Sequence, residues 1–162
     1  MIFRLSQKLN TKIKTGSLPT LPLDDNPLAD WSAHVFIAER MQHLLVTNTK
    51  SLYSIVTAGK GVTDGRTFVE RTLSNLGEFL ADDGQPFVFR RFILPADDTV
   101  RFARALDRSV TGSMNELVAD AKYCLLERGL APYEVGFELN DIPRSSLKYA
   151  SAREAFKSLQ LE

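Results

Sequence analysis

The chain has 162 residues and a mass of 18.1 kDa, enough for one domain over 1–162 that buries a core without disulfides or a structural metal. Its 44% hydrophobic and 25% charged content excludes an intrinsically disordered chain. Twenty basic residues against twenty acidic ones leave no net field to hold it on nucleic acid or an anionic membrane, so either partner needs a local patch.

Residues 2–6 alternate Phe3 and Leu5 with Arg4, the pattern of a short strand, and Ser6 stands where it caps a brief helix through Ile13. The opening has neither a long apolar stretch nor a small-residue cleavage site. No window approaches the ~20 apolar residues of a membrane span, so a cytoplasmic protein with no membrane contact is expected. A Pro-rich loop follows at 16–27, where Pro19, Pro22 and Pro27 with Gly16, Asp24, Asp25 and Asn26 suit neither helix nor strand. Between 31 and 58, three runs rich in β-branched and aromatic residues are broken by polar stretches at 39–42 and 48–50. They predict three antiparallel strands, or two strands and an irregular third piece.

Beyond the glycine-rich stretch 59–65, the capping-box spacing of Thr67 and Glu70 opens a helix whose Val69, Leu73, Leu76 and Leu80 share a face, and Asp82, Asp83 and Gly84 end it. Residues 87–94 read as a strand interrupted by Arg90 and Arg91, and 99–106 as strand in preference to short helix. Capping-box spacing recurs at Ser113 and Glu116, ahead of a stripe from Met114 to Leu125 that Gly129 stops. A short apolar segment at 133–139, a turn at 140–143 and a final helix at 151–159 complete the chain. The expected fold is α+β: a mostly antiparallel sheet packed with about three helices as a single pair of layers.

Cys124, the single cysteine, lies mid-helix on the apolar stripe and reads as a packing residue; alone it excludes a disulfide framework or multi-cysteine zinc site. His34 and His43 fall in adjacent strands, where a tight connection near Glu39 sets them opposite each other, but no spacing selects a third metal ligand. No metal or cofactor is expected. There is no Gly-x-Ser-x-Gly elbow, the aspartate pairs at 24–25, 82–83 and 97–98 fall in turns or helix ends, and the glycines at 59, 61 and 65 lack P-loop spacing.

The most suggestive cluster runs from Arg101 to Glu116. A basic, hydroxyl-rich turn at 108–115 leads into a capped helix, where backbone N–H groups and the macrodipole favour an anion; the candidate ligands are Arg104, Arg108, Ser109, Gly112, Ser113 and Asn115. The competing structural reading has Ser109, Thr111 and Ser113 as alternative caps while Arg108 pairs with Asp107 or a nearby acid. The same region offers a nucleic-acid surface, since Arg90, Arg91, Arg101, Arg104 and Arg108 are interleaved with Phe87, Phe89, Phe92 and Phe102.

The Arg-Ser-Val-Thr-Gly-Ser-Met-Asn segment at 108–115 resembles the Arg-Ser-Val-x-Gly-Ser-Met-Asn signature of a bacterial family of small stand-alone proteins of unknown function. The Leu-Ser-Gln-Lys-Leu run at 5–9, Trp31, the Leu-Val-Thr-Asn run at 45–48 and the closing Leu139, Asn140 and Pro143 support it. The resemblance implies a bacterial protein with no assigned activity, substrate or cofactor, and transfers no site residue. The leading expectation is therefore a non-enzymatic binding or regulatory module that holds a phosphate-bearing ligand or nucleic acid at 108–115. The alternatives are an enzyme of unfamiliar type using Arg108 and neighbouring hydroxyl residues, and a protein-interaction subunit such as a homodimer.

Overall fold

The computed structural model describes residues 1–159. Five strands, β1 (Ile2–Leu5), β2 (Asp30–Ala38), β3 (Met41–Asn48), β4 (Ser54–Ala58) and β5 (Arg101–Ala103), form one sheet in the order β4-β3-β2-β1-β5. β2, β3 and β4 pair antiparallel, with the turn at Glu39 and Arg40 reversing the chain at φ +53° and +63°. β1, in contrast, runs parallel to both β2 and β5. The sheet is thus mixed, correcting the expected mostly antiparallel one. The cause is that the helix after Ser6 and the Pro-rich loop together form a crossover, which parallel neighbours require, and not two separate local features.

Six α-helices are present among the described residues, against about three expected: α1 (Gln7–Ile13), α2 (Gly65–Asp82), α3 (Pro86–Val88), α4 (Arg108–Leu126), α5 (Pro132–Asp141) and α6 (Ala152–Leu159). They cover both faces of the sheet, so the single pair of layers is also corrected. On one face Phe3, Trp31, Ala33, Val35, Leu44, Val46 and Ile55 pack with Leu9 and Ile13 of α1, Phe68, Leu76 and Phe79 of α2, and Phe156 of α6. On the other, Phe36, Ala38, Leu45 and Val56 meet Met114, Leu117, Val118 and Ala121 of α4 with Val135 and Leu139 of α5. Apolar residues on both parities explain why the strands read as continuous hydrophobic runs.

The missed helices have local causes. Residues 87–94, expected as strand, continue from α3 through a π turn (Phe89–Ile93). Val88 and Ile93 are buried there with Phe89 and Phe92 against the core, which is helical spacing, while Arg90 and Arg91 face solvent. Pro132 occupies the first turn of α5, where its missing N–H and fixed φ suit a helix start. Both long helices also begin earlier than their Ser/Thr-to-Glu spacings suggest. Asp64 caps α2, accepting from the Thr67 amide at 2.8 Å while Thr67 Oγ1 accepts from the Asp64 amide; Asp107 caps α4, accepting from Val110 N at 2.9 Å. Residues 108–115 are consequently helix, not turn.

The edge of β4 is closed by a side chain. Asn140 Oδ1 accepts from Ser54 N at 2.8 Å and its Nδ2 donates to Ser54 O at 3.0 Å, reproducing what a neighbouring strand would supply. No helix among the described residues is long and apolar enough to cross a membrane.

Candidate functional site

β1 leads into α1 on one face, whereas β5 leads into α4 on the other, so the connections diverge at the carboxyl ends of adjacent parallel strands. Ligand crevices in sheets containing parallel strands form at such points. A cavity of about 540 Å³ opens here, bounded by the ends of β1 and β5, the middle of β2, the start of the Pro-rich loop and one face of α4. That volume suits a small molecule. Its apolar wall includes Leu18, Val110 and Met114, and its polar wall Ser6, Asn10, His34, Arg104, Thr111 and Asn115.

Arg4 lies at the floor and is fully engaged by the protein. Its Nε and Nη2 each donate to a different oxygen of Asp30 at 2.8 Å, its Nη1 donates to Leu21 O at 2.9 Å and Arg104 O at 3.4 Å, and its Nη2 also reaches Pro22 O at 2.9 Å. Asp30 accepts further from Thr49 Oγ1 at 2.7 Å and Asp24 N at 3.0 Å. Both side chains are buried. The pair folds the Pro-rich loop over the strand ends and leaves no donor on Arg4 for a ligand.

Arg104 is placed differently. Its amide donates to Pro19 O at 2.9 Å and its Nε to Leu18 O at 3.1 Å, while its two Nη groups make no hydrogen bond among the described residues. His34 also lines the cavity, with Nδ1 at 2.7 Å from Ser6 Oγ. Ser6 Oγ caps α1 by accepting from Leu9 N at 3.2 Å, so its own proton is free to point at Nδ1. With Ser6 as the donor to Nδ1, the imidazole carries its own proton on Nε2. Burial, then the charges of Lys8 on α1 and Lys122 on α4, push the His34 pKa below its ordinary value and keep it neutral.

Of the six candidate anion ligands read from the sequence, Arg104 and Asn115 line this cavity, and Arg108, Ser109, Gly112 and Ser113 do not. Arg108 and Ser109 are exposed in the first turn of α4, whose N-terminus already holds the Asp107 carboxylate. His43 does not oppose His34: it pairs with Phe36, stacking on that ring at 5.3 Å. Among the described residues no three His, Cys, Asp or Glu side chains group as metal ligands. Cys124 is buried on α4, with its thiol pKa raised by burial. Of the interleaved arginines, Arg90 and Arg91 lie on the π turn, with Arg91 over the rings of Phe87 and Phe92, while Phe102 packs inward against Phe3 and Phe68.

Ser6 and His34 were not paired by the sequence reading. Their meeting follows from the parallel register that sets Leu5 beside Ala33, which makes Ser6 and His34 the next residues along two adjacent strands. The architecture defines a mixed α+β protein with a small-molecule-sized pocket at the carboxyl ends of its parallel strands. The chain belongs to the family described as domain of unknown function DUF6933, whose family model matches residues 2–155. Comparison with curated proteins and with solved structures gives no match.

Proposed function

We propose that the protein is a bacterial, cytoplasmic binding protein for a small anion, a phosphate- or carboxylate-bearing molecule held in the cavity between β1, β5 and α4. The observation that carries this reading is Arg104, an exposed residue at the rim of a cavity of about 540 Å³ whose two Nη groups make no hydrogen bond among the described residues. Asn115 and Thr111 on α4 supply neutral polar contacts, and the charges of Lys8 and Lys122 that lower the His34 pKa have the sign that attracts an anion. The anion site read from the sequence thereby shifts from the 108–115 segment as a whole to Arg104 and Asn115, with Arg108, Ser109, Gly112 and Ser113 outside it. The 108–115 signature is better explained as the capped start of α4 that holds Asn115 in place.

Titration with inorganic phosphate and small dicarboxylates, followed by amide NMR, tests this reading. Shifts at Arg104, Thr111 and Asn115 that vanish in Arg104→Gln support it. Shifts confined to 108–113, or saturable binding of DNA or RNA with none at Arg104, refute it. A sedimentation mass near twice 18.1 kDa, with the cavity residues unresponsive, favours the homodimer instead.

A further inference from the structure

The Ser6–His34 contact is more than a helix cap requires. Capping α1 uses only the acceptor side of Ser6 Oγ, through Leu9 N at 3.2 Å. The hydroxyl proton is left available for His34 Nδ1, whose distance of 2.7 Å from Ser6 Oγ permits donation to the imidazole, and both residues line the same cavity as Arg104 and Asn115. A hydroxyl hydrogen-bonded to an imidazole and facing a ligand-sized cavity is the arrangement of an activated nucleophile. His34 is half-buried, and its Nε2 makes no hydrogen bond among the described residues.

We propose that this cavity is a hydrolytic site in which Ser6 is the nucleophile and His34 the general base, acting on an ester of a small acid that carries a second, anionic group. The proposal rests on the anion reading for substrate orientation only. In the first half-reaction the Ser6 proton passes to His34 Nδ1, the Oγ–C bond forms, the ester C–O bond breaks, and the departing alkoxide takes the proton from Nδ1. In the second, water gives its proton to Nδ1 and attacks the acyl carbon. The Oγ–C bond then breaks, Ser6 recovers its proton, and the acid is released. Asn115 and Arg104 face the reacting group and its anionic substituent.

The test is covalent labelling of the full chain with an alkyl fluorophosphonate, read by intact mass and peptide mapping, with hydrolysis of mono-p-nitrophenyl succinate alongside. The expected result is a single adduct on Ser6 and measurable ester turnover. Both are lost in Ser6→Asn, which retains a side chain able to cap α1, and labelling slows about 100-fold or more in His34→Gln. Absence of an adduct on a chain with a native melt, an adduct elsewhere, or turnover that survives Ser6→Asn overturns the proposal. If phosphate shifts Arg104 and Asn115 but Ser6 is never labelled, the anion site stands and the hydrolytic one falls. If Ser6 is labelled while Arg104→Gln leaves turnover of the succinate ester unchanged, the hydrolytic site stands and the anion reading falls.

Discussion

Replacing Arg4 with methionine removes a charge of which all the donors are used inside the protein while roughly preserving side-chain length. Asp30 would remain buried, keeping the Thr49 hydroxyl at 2.7 Å and the Asp24 amide at 3.0 Å but losing two charge-assisted bonds at 2.8 Å each. Breaking such a buried pair from one side costs about 3–5 kcal/mol, against a total stability of about 5–15 kcal/mol for a domain. Three carbonyls, those of Leu21, Pro22 and Arg104, also lose their donor, so the estimate is a lower one. Urea unfolding followed by the fluorescence of Trp31, the sole and buried tryptophan, measures the loss. Arg4→Met with Asp30→Leu should be less destabilised than Arg4→Met alone, because no uncompensated charge remains. A single-variant loss under about 1 kcal/mol, the scale of an exposed pair, would refute the reasoning, as would a double variant no better than the single one.

Asn140→Leu leaves the amide and carbonyl of Ser54 buried and unpaired, so a loss of about 1–3 kcal/mol and faster hydrogen exchange at the Ser54 amide are expected. Gly136→Ala places a Cβ 2.7 Å from Phe79 Cε2 and 3.1 Å from Ser54 O, with Phe79 hemmed in by Tyr53, Tyr133 and Phe137; calorimetry should show about 1–3 kcal/mol of destabilisation. Gly112→Ala, in α4 with nothing within 4 Å, should have the opposite sign, a gain of about 0.5–1 kcal/mol. His34 should titrate by NMR below its ordinary value, and Lys8→Gln should raise its midpoint. Since the unfolded chain then binds the His34 proton more tightly, this residue's contribution to stability is full above about pH 6.5 and declines as pH falls towards the folded midpoint. His34→Gln should remove that component in urea unfolding at matched pH values.

Local signals carried the three-strand meander over β2, β3 and β4, the start of the chain as β1 followed by α1 with Ser6 as its cap, and the last helix, because each depends on residues close in sequence. Sheet order did not follow from the same signals. Nothing within 2–6 or 99–106 tells whether a short strand lies parallel or antiparallel to its neighbour, and the contacts that accompany the parallel pairing, such as the buried Arg4–Asp30 pair between residues 26 apart, are distant in sequence. Helix starts were displaced for a related reason: Thr67 satisfies a capping-box search at the first position yet serves as the third residue of the helix, with Asp64 as cap. At the site, Arg104 and Asn115 were legible as polar groups near a helix start, whereas Ser6 was legible only as a cap and His34 only as one of two strand histidines.

One side chain therefore links the fold to the candidate chemistry. Arg4 sits on β1 just before the strand end, and its guanidinium ties together the carbonyls of Leu21 and Pro22 in the loop and of Arg104 after β5. The backbone that frames the cavity from two sides is thus fixed from the core, not by the ligand. The parallel register held by the same strand sets Ser6 beside His34. A site assembled this way has its polar groups oriented before a ligand arrives, which lowers the ordering cost of binding. It also makes the cavity the first feature expected to loosen when the ion pair is broken. A partly destabilised but folded Arg4 variant should accordingly lose the NMR response of Arg104 to phosphate before it loses its secondary structure, whereas Gly136→Ala, destabilised at the other end of the sheet, should keep that response.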